Sequence, residues 1–143
     1  MTNTTPLMLD TNVVFEVLRP RPSAVRDRLT RTLDQGGRAV AVSSIVLVEL
    51  WYGVGRSAMP ALNAELLRRF LAGGVNVVSF AEEQAEAAGA LRTQLERAGT
   101  PVGPYDVLIA AHAVTTGSTL VTANVGEFSR FPGLTVEDWS RPA

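Results

Sequence analysis

Three carboxylates interrupt apolar sequence that a core should claim for itself. Asp10 closes the run "PLMLD", Glu49 sits inside "IVLVELWY", and Asp106 sits in "GPYDVLIAAHA". A lone buried carboxylate costs roughly several kcal/mol, so it must be paired, protonated or metal-bound. A buried ion pair with an arginine is the plain explanation of Glu49, although Arg56 and its neighbours lie on other helical turns. Helix capping is the plain explanation of Asp10, and a favourable dipole that of Asp106, two residues after Pro104. Yet Ile109, Ala110 and Ala113 follow Asp106 by three, four and seven residues and share its face, which is apolar. One explanation covers all three acids: they converge on a hard divalent cation. Mg2+ and Mn2+ prefer oxygen ligands, and Mg2+ keeps waters and takes substrate phosphates.

A fourth stretch, "LVTANVGEF" (120–128), ends a strand at Thr122 and then offers Asn124 and Glu127. Asn124 suits a turn equally well. The chain has no cysteine, so it has neither disulfides nor a thiolate site. The single histidine, His112, is six residues from Asp106 on another face and reads as structural. No Ser–His or Cys–His nucleophile pair is legible, which leaves water as the nucleophile. All thirteen basic residues are arginine, and net charge is −1. Coding bias would give the same absence of lysine, but any mechanism requiring an ammonium is excluded. Bulk charge is not what would hold nucleic acid here.

These residues need a scaffold. The 143 residues suffice for one domain with a real core, and 46% hydrophobic with 19% charged residues is a globular composition. No apolar run is long enough to span a membrane, and "MTNTTP" does not resemble a signal peptide, so a cytoplasmic location is expected. Strands are expected at 6–10, 39–42, 75–80, 118–123 and 134–139. Helices are expected at 12–19 (capped by Thr11 or Asn12), 24–35 (capped by Ser23), 44–56 (capped by Ser43), 61–72, 81–99 and 103–117, with a short helical turn after 123. That alternation predicts an α/β domain with a parallel sheet, its Val-rich strands covered on both faces. Ligands of such sheets bind beyond the carboxyl ends of the strands, where Asp10, Thr122 and Asn124 fall. Helix 44–56 is apolar nearly all round and is expected to be buried, with Glu49 inside it.

In order, "MLDTNVV", "VSSIVLVELWYGV", "PYDVLIAAHA" and "LVTANVGEF" resemble the four motifs of PIN-domain nucleases, most closely the VapC-type toxins of toxin–antitoxin pairs. The likeness covers nearly the whole chain. It implies a PIN-like fold, a parallel sheet of about five strands in order 3-2-1-4-5 flanked by helices. It implies metal-dependent hydrolysis of single-stranded or loop RNA, with Asp10, Glu49 and Asp106 as metal ligands and catalytic residues and Asn124 assisting. Many members carry aspartate where this chain has Asn124, which lowers the charge of the site and leaves one or two ions open. Glu127 is a partial compensation outside the core ligand set. The resemblance further implies a homodimer and a small cognate VapB-like antitoxin.

The expected reaction is attack by metal-activated water on the scissile phosphate, with Thr11 and Asn12 orienting the first acid. Arg19, Arg21, Arg26 and Arg92 are expected at the rim to offset repulsion of RNA by the acids. The alternatives are a housekeeping PIN nuclease without an antitoxin and a non-catalytic PIN-like module that binds RNA or protein. A receiver domain and a haloacid-dehalogenase phosphatase both need the missing lysine, and the latter needs an aspartate where Asn12 stands.

Overall fold

The structure is a computed structural model that describes residues 3–141. Met1, Thr2, Pro142 and Ala143 lie outside the described residues, and with them the start of the polar stretch read as lacking a signal peptide. In chain order the elements are β1 (Leu7–Leu9), α1 (Thr11–Leu18), α2 (Ala24–Gln35), β2 (Val40–Ser43), α3 (Ser44–Gly55), α4 (Pro60–Leu71), β3 (Asn76–Val78), α5 (Glu82–Arg97), α6 (Pro104–Thr115), β4 (Thr119–Val121), α7 (Val125–Phe128) and β5 (Val136–Glu137). The strands form one parallel sheet in order β3-β2-β1-β4-β5, as the resemblance implied. Leu7 pairs with both Val40 and Thr119, so β1 is central and its ends are level with those of its neighbours. The order turns outward on either side of β1, which opens a crevice at the carboxyl ends of β1 and β4.

The apolar runs become strands because they are buried: Leu7, Met8, Leu9, Val40, Val42, Leu120 and Val121 are all within 1% of full burial. Helices α5 and α6 pack as a pair through Ala88, Leu91, Leu95, Ile109 and Ala110, with α1, α3 and α4 grouped elsewhere against the core. Ser23 and Ser43 cap α2 and α3 as expected, accepting from Arg26 N and Ile45 N. The cap of α1 is instead Asp10, whose Oδ1 accepts the Thr11 N–H at 2.8 Å. Aspartate at that position aims its carboxylate back over the first turn, so neither Thr11 nor Asn12 is needed.

Two expectations fail. The strands are not all covered: in β3 both Asn76 and Val77 are exposed, because β3 is an edge strand. Nor is α3 buried all round. Val46, Leu50 and Val54 face the core, while Val48, Trp51 and Tyr52 are exposed. Among the described residues no helix is long and apolar enough to cross a membrane.

Candidate functional site

Asp10 ends β1 and begins α1, and both of its carboxylate oxygens are engaged. Oδ1 accepts from Thr11 N, and Oδ2 accepts from the Thr122 hydroxyl at 2.7 Å. Thr122 follows β4, and the β1–β4 register brings it beside Asp10, whose own N–H donates to Val121 O at 2.9 Å. Capping and site formation are therefore not rival explanations of Asp10; one side chain does both. Burial pushes its pKa up, the Thr122 and Thr11 hydrogen bonds pull it down, and the Glu127 charge adds to the rise; the net direction is upward.

Glu49 projects from the third α-helix and is half-buried rather than enclosed. Its partner is not an arginine: Oε1 accepts the Thr11 hydroxyl at 2.7 Å. Thr11 thus ties the first two acids together, through its N–H to Asp10 and its hydroxyl to Glu49. Asp106 stands in the first turn of α6 above buried Ile109, Ala110 and Ala113, and is itself half-buried. Its pKa is pushed up to about 7, by burial first, then by the hydrogen bond with Glu127 and the charges of Glu127, Asp10 and Glu49. Glu127 moves the opposite way, held down by the hydrogen bond from Asp106 and by that from Gly103 N at 3.2 Å. The two neighbouring carboxyls are thus pushed in opposite directions. Asn124 completes the group, its N–H on the Thr122 hydroxyl at 3.0 Å and its side-chain amide donating to Glu127 at 3.2 Å.

Asp10, Glu49, Asp106 and Asn124 all line one open pocket of ≈ 830 Å³, together with Thr11, Asn12, Phe15, Tyr52, Arg56 and Tyr105 among others. The convergence is nonetheless incomplete. Among the described residues no group of three or more His, Cys, Asp or Glu is arranged to hold a metal ion. Each acid is engaged within the protein: Asp10 and Glu49 accept from threonines, and Asp106 hydrogen-bonds with Glu127. In donor chemistry the set fits a hard cation, since every candidate ligand is an oxygen and the acids already sense one another's charge.

Glu127 belongs to this network more closely than its motif position suggested, and Arg56, weighed from sequence only as an ion-pair partner of Glu49, was not among the arginines expected at the site. Arg56 lines the pocket, seven residues after Glu49 and hence on its face of α3, a spacing the sequence already carried. The four arginines expected at the rim are elsewhere. Arg19 and Arg21 pair with Glu16 at 3.2 and 3.0 Å, Arg26 donates to the carbonyls of Val17 and Arg19, and Arg92 pairs with Glu96 on α5 at 3.2 Å. Arg19 and Arg92 are held by acids at i,i+3 and i,i+4 spacing, which the sequence already carried, whereas Arg26 reaches back to carbonyls at and just after the end of α1. A Ser–His pair also exists, contrary to expectation: Ser43 Oγ and His112 Nδ1 are 2.7 Å apart. Both side chains are buried away from the pocket, and burial lowers the His112 pKa, so the pair is a structural one.

The PIN domain model matches residues 7–134. The chain is 40% identical over 133 residues to a tRNA(fMet)-specific endonuclease VapC of Shigella flexneri, covering 93% of this chain and 97% of that protein. It is 38% identical over 134 residues to ribonuclease VapC2 of Rickettsia felis, with 94% and 98% covered. Among solved structures, VapBC2 of Rickettsia felis bound to a promoter DNA fragment superposes with a TM-score of 0.85 at 37% identity, over 93% of this chain and 98% of that one. DNA-bound VapBC of Salmonella typhimurium gives 0.85 at 38% identity, over 94% and 98%.

Proposed function

Because the chain belongs to the PIN-domain family and is homologous to VapC toxins of VapBC toxin–antitoxin pairs, we propose that it is a metal-dependent endoribonuclease, the toxin of such a pair. The observation that carries this reading is the meeting of Asp10, Glu49, Asp106 and Asn124 on one pocket at the carboxyl ends of the central strands. We read the whole of 1–143 as one nuclease domain, with those four residues as its catalytic and metal-binding set.

The four would hold Mg2+ or Mn2+. When bound, such a cation neutralises charge developing on the scissile phosphate and makes a coordinated water a stronger nucleophile near neutral pH. The chain's own residues do the positioning. Thr11 and Thr122 fix the Asp10 carboxylate, and the Thr11 hydroxyl fixes that of Glu49. Asp106 acts as an anionic ligand only when deprotonated, and bringing a cation to the acids favours that form over the raised pKa. The pocket's open mouth admits a single strand, and its lining supplies no exposed Ser–His pair, which supports water as the nucleophile.

A protein partner is part of the reading. The solved relatives named above are VapBC complexes, and this chain leaves Val48 (55% exposed), Trp51, Met59 and Leu62 uncovered on α3 and α4. That apolar side supports a bound antitoxin and a homodimer. Asp10→Asn and Asp106→Asn should each abolish Mn2+-dependent RNA cleavage while the circular dichroism spectrum stays that of the parent. Full cleavage by either variant would sink the mechanism. Growth arrest on induced expression, relieved by co-expressing the adjacent open reading frame, tests the toxin role.

A further inference from the structure

An acid-lined pocket repels the phosphate backbone it must admit, so something on its walls must attract RNA without depending on a field of positive charge. Three side chains answer that description. Tyr52 is 66% exposed and Tyr105 48% exposed, and both line the pocket. Arg56 lines it as well, exposed, with its guanidinium carbon 5.4 Å from the Tyr52 ring centroid. Among the described residues Arg56 has no carboxylate partner; its nearest polar contact is the Tyr52 hydroxyl at 3.5 Å. Tyr52, Gly53 and Arg56 follow Glu49 by three, four and seven residues, so all share the face of α3 that carries the acid. Tyr105 immediately precedes Asp106 and stands on the wall built by α6. Acids and tyrosines thus line the same pocket, Tyr52 from α3 and Tyr105 from α6.

Between the tyrosines and the acids the wall is low. A Cβ on Gly53 would meet Phe15 Cζ at 2.6 Å, so only glycine lets the Phe15 ring lie against α3 there. A single exposed tyrosine is ordinary; what marks Tyr52 and Tyr105 is that both line the pocket that holds the acids. Trp51 does not share the arrangement: it does not line the pocket and lies under Arg68, at 5.2 Å.

We propose that Tyr52 and Tyr105 stack unpaired bases of the RNA substrate on either side of the scissile phosphate, and that Arg56 holds an adjacent phosphate. The inference rests on the ribonuclease reading above and adds the side chains of this chain that would grip the RNA beside the acids. Base stacking on an aromatic ring requires no net charge and tolerates any sequence. It requires bases that are free of a duplex, since a paired base offers no open face. With Arg56 the one arginine lining the pocket among the described residues, the salt dependence should be shallow.

The test uses the full chain and a short single-stranded oligoribonucleotide carrying 2-aminopurine. Binding is read by anisotropy and fluorescence quenching in EDTA, and cleavage is read separately with Mn2+. Tyr52→Leu and Tyr105→Leu should each raise Kd and KM at least about fivefold and relieve the quenching, while the Phe variants match the parent. Arg56→Gln should raise Kd and flatten the slope of log Kd against log salt by about 0.7. Tyr52 and Tyr105 are largely exposed, so the variants should fold, and the melting temperature checks this. Unchanged Kd in the Leu variants overturns the inference, as does equal binding of the paired duplex. Loss of a partner-protein complex with unchanged RNA Kd also overturns it, because the surface then serves the partner. Quenched binding without cleavage by the parent would refute the ribonuclease reading and leave the stacking wall supported.

Discussion

Thr11 is the residue on which two of the three acids depend. Its hydroxyl is the protein donor to Glu49 and its N–H is one of two to Asp10. Thr11→Val should cost about 10- to 100-fold in Mn2+-dependent cleavage with little change in melting temperature, and Thr11→Ser should restore activity. A Val variant at parental rate would remove Thr11 from the site. Asp106 carries a different consequence. Its folded pKa is raised to about 7, above the value in an unfolded chain. A raised carboxylate pKa means the folded state binds the proton more tightly, so this group weakens folding increasingly as pH rises from the unfolded value through about 7. In EDTA, Asp106→Asn should therefore raise the melting temperature at pH 8 and do so much less at pH 5. Equal effects at the two pH values would contradict the origin given for the shift. Mn2+ should raise the parent's melting temperature at pH 8 and not that of Asp106→Asn.

At the scale of elements, Ser43 joins three of them. It ends β2, caps α3 through Ile45 N at 3.0 Å, and pairs with His112 of α6 at 2.7 Å. His112 also meets the edge of Phe80, ring centroids 5.6 Å apart at 86°. Ser43→Ala removes a cap and leaves a buried imidazole nitrogen without its partner, a loss of about 2–4 kcal/mol by urea denaturation. The burial that depresses the His112 pKa makes its neutral form a condition of folding. Its contribution is full above the unfolded histidine value and is lost as pH falls from there through the depressed folded value. Helix α3 shows why patterning misleads at this scale. Its composition is apolar on every side, yet only Val46, Leu50 and Val54 are fully buried, with Ile45 and Leu47 packed partly against the core. Apolar composition marks what can be covered; it does not say by what.

Over the whole molecule, the sheet is closed at its β5 end by one carboxylate. Glu137 accepts from Arg38 at 3.1 Å, from Arg28 at 3.4 Å and from Trp139 Nε1 at 3.1 Å, while Arg38 also donates to Thr5 O at 2.8 Å. Strand β5, helix α2 and the segment before β1 are thereby joined, and Arg28 lies over the Trp139 ring at 5.5 Å. Burial opposes ionisation of Glu137, but the Trp139 and Arg38 hydrogen bonds with the two arginine charges outweigh it, and the pKa falls. A lowered carboxylate pKa contributes stability above the unfolded value and loses it as pH falls through the folded value. Glu137→Gln should cost about 1–2 kcal/mol at pH 7, given the partial solvent screening. The difference from the parent should vanish in acid below the folded pKa. A deficit that persists there would mean the residue acts by packing rather than by charge.

What the sequence determined by itself was local. Apolar runs of strand length, glycines after helices and serines before them place most elements within a residue or two, because these choices depend on neighbours along the chain. The three misplaced acids were legible for the same reason: a carboxylate inside an apolar run contradicts its surroundings wherever the chain goes. Partners were not legible. Glu49 meets Thr11 across 38 residues, Asp10 meets Thr122 across 112, and Asp106 hydrogen-bonds with Glu127 only because α6 and the turn after β4 share one edge of the sheet. The same holds for the arginines: of thirteen, the tertiary structure brings Arg56 to the pocket and ties Arg19, Arg21, Arg26 and Arg92 to other acceptors. Hydrogen bonds and charges act through space over a few ångströms, so only the fold could decide which of these groups would meet.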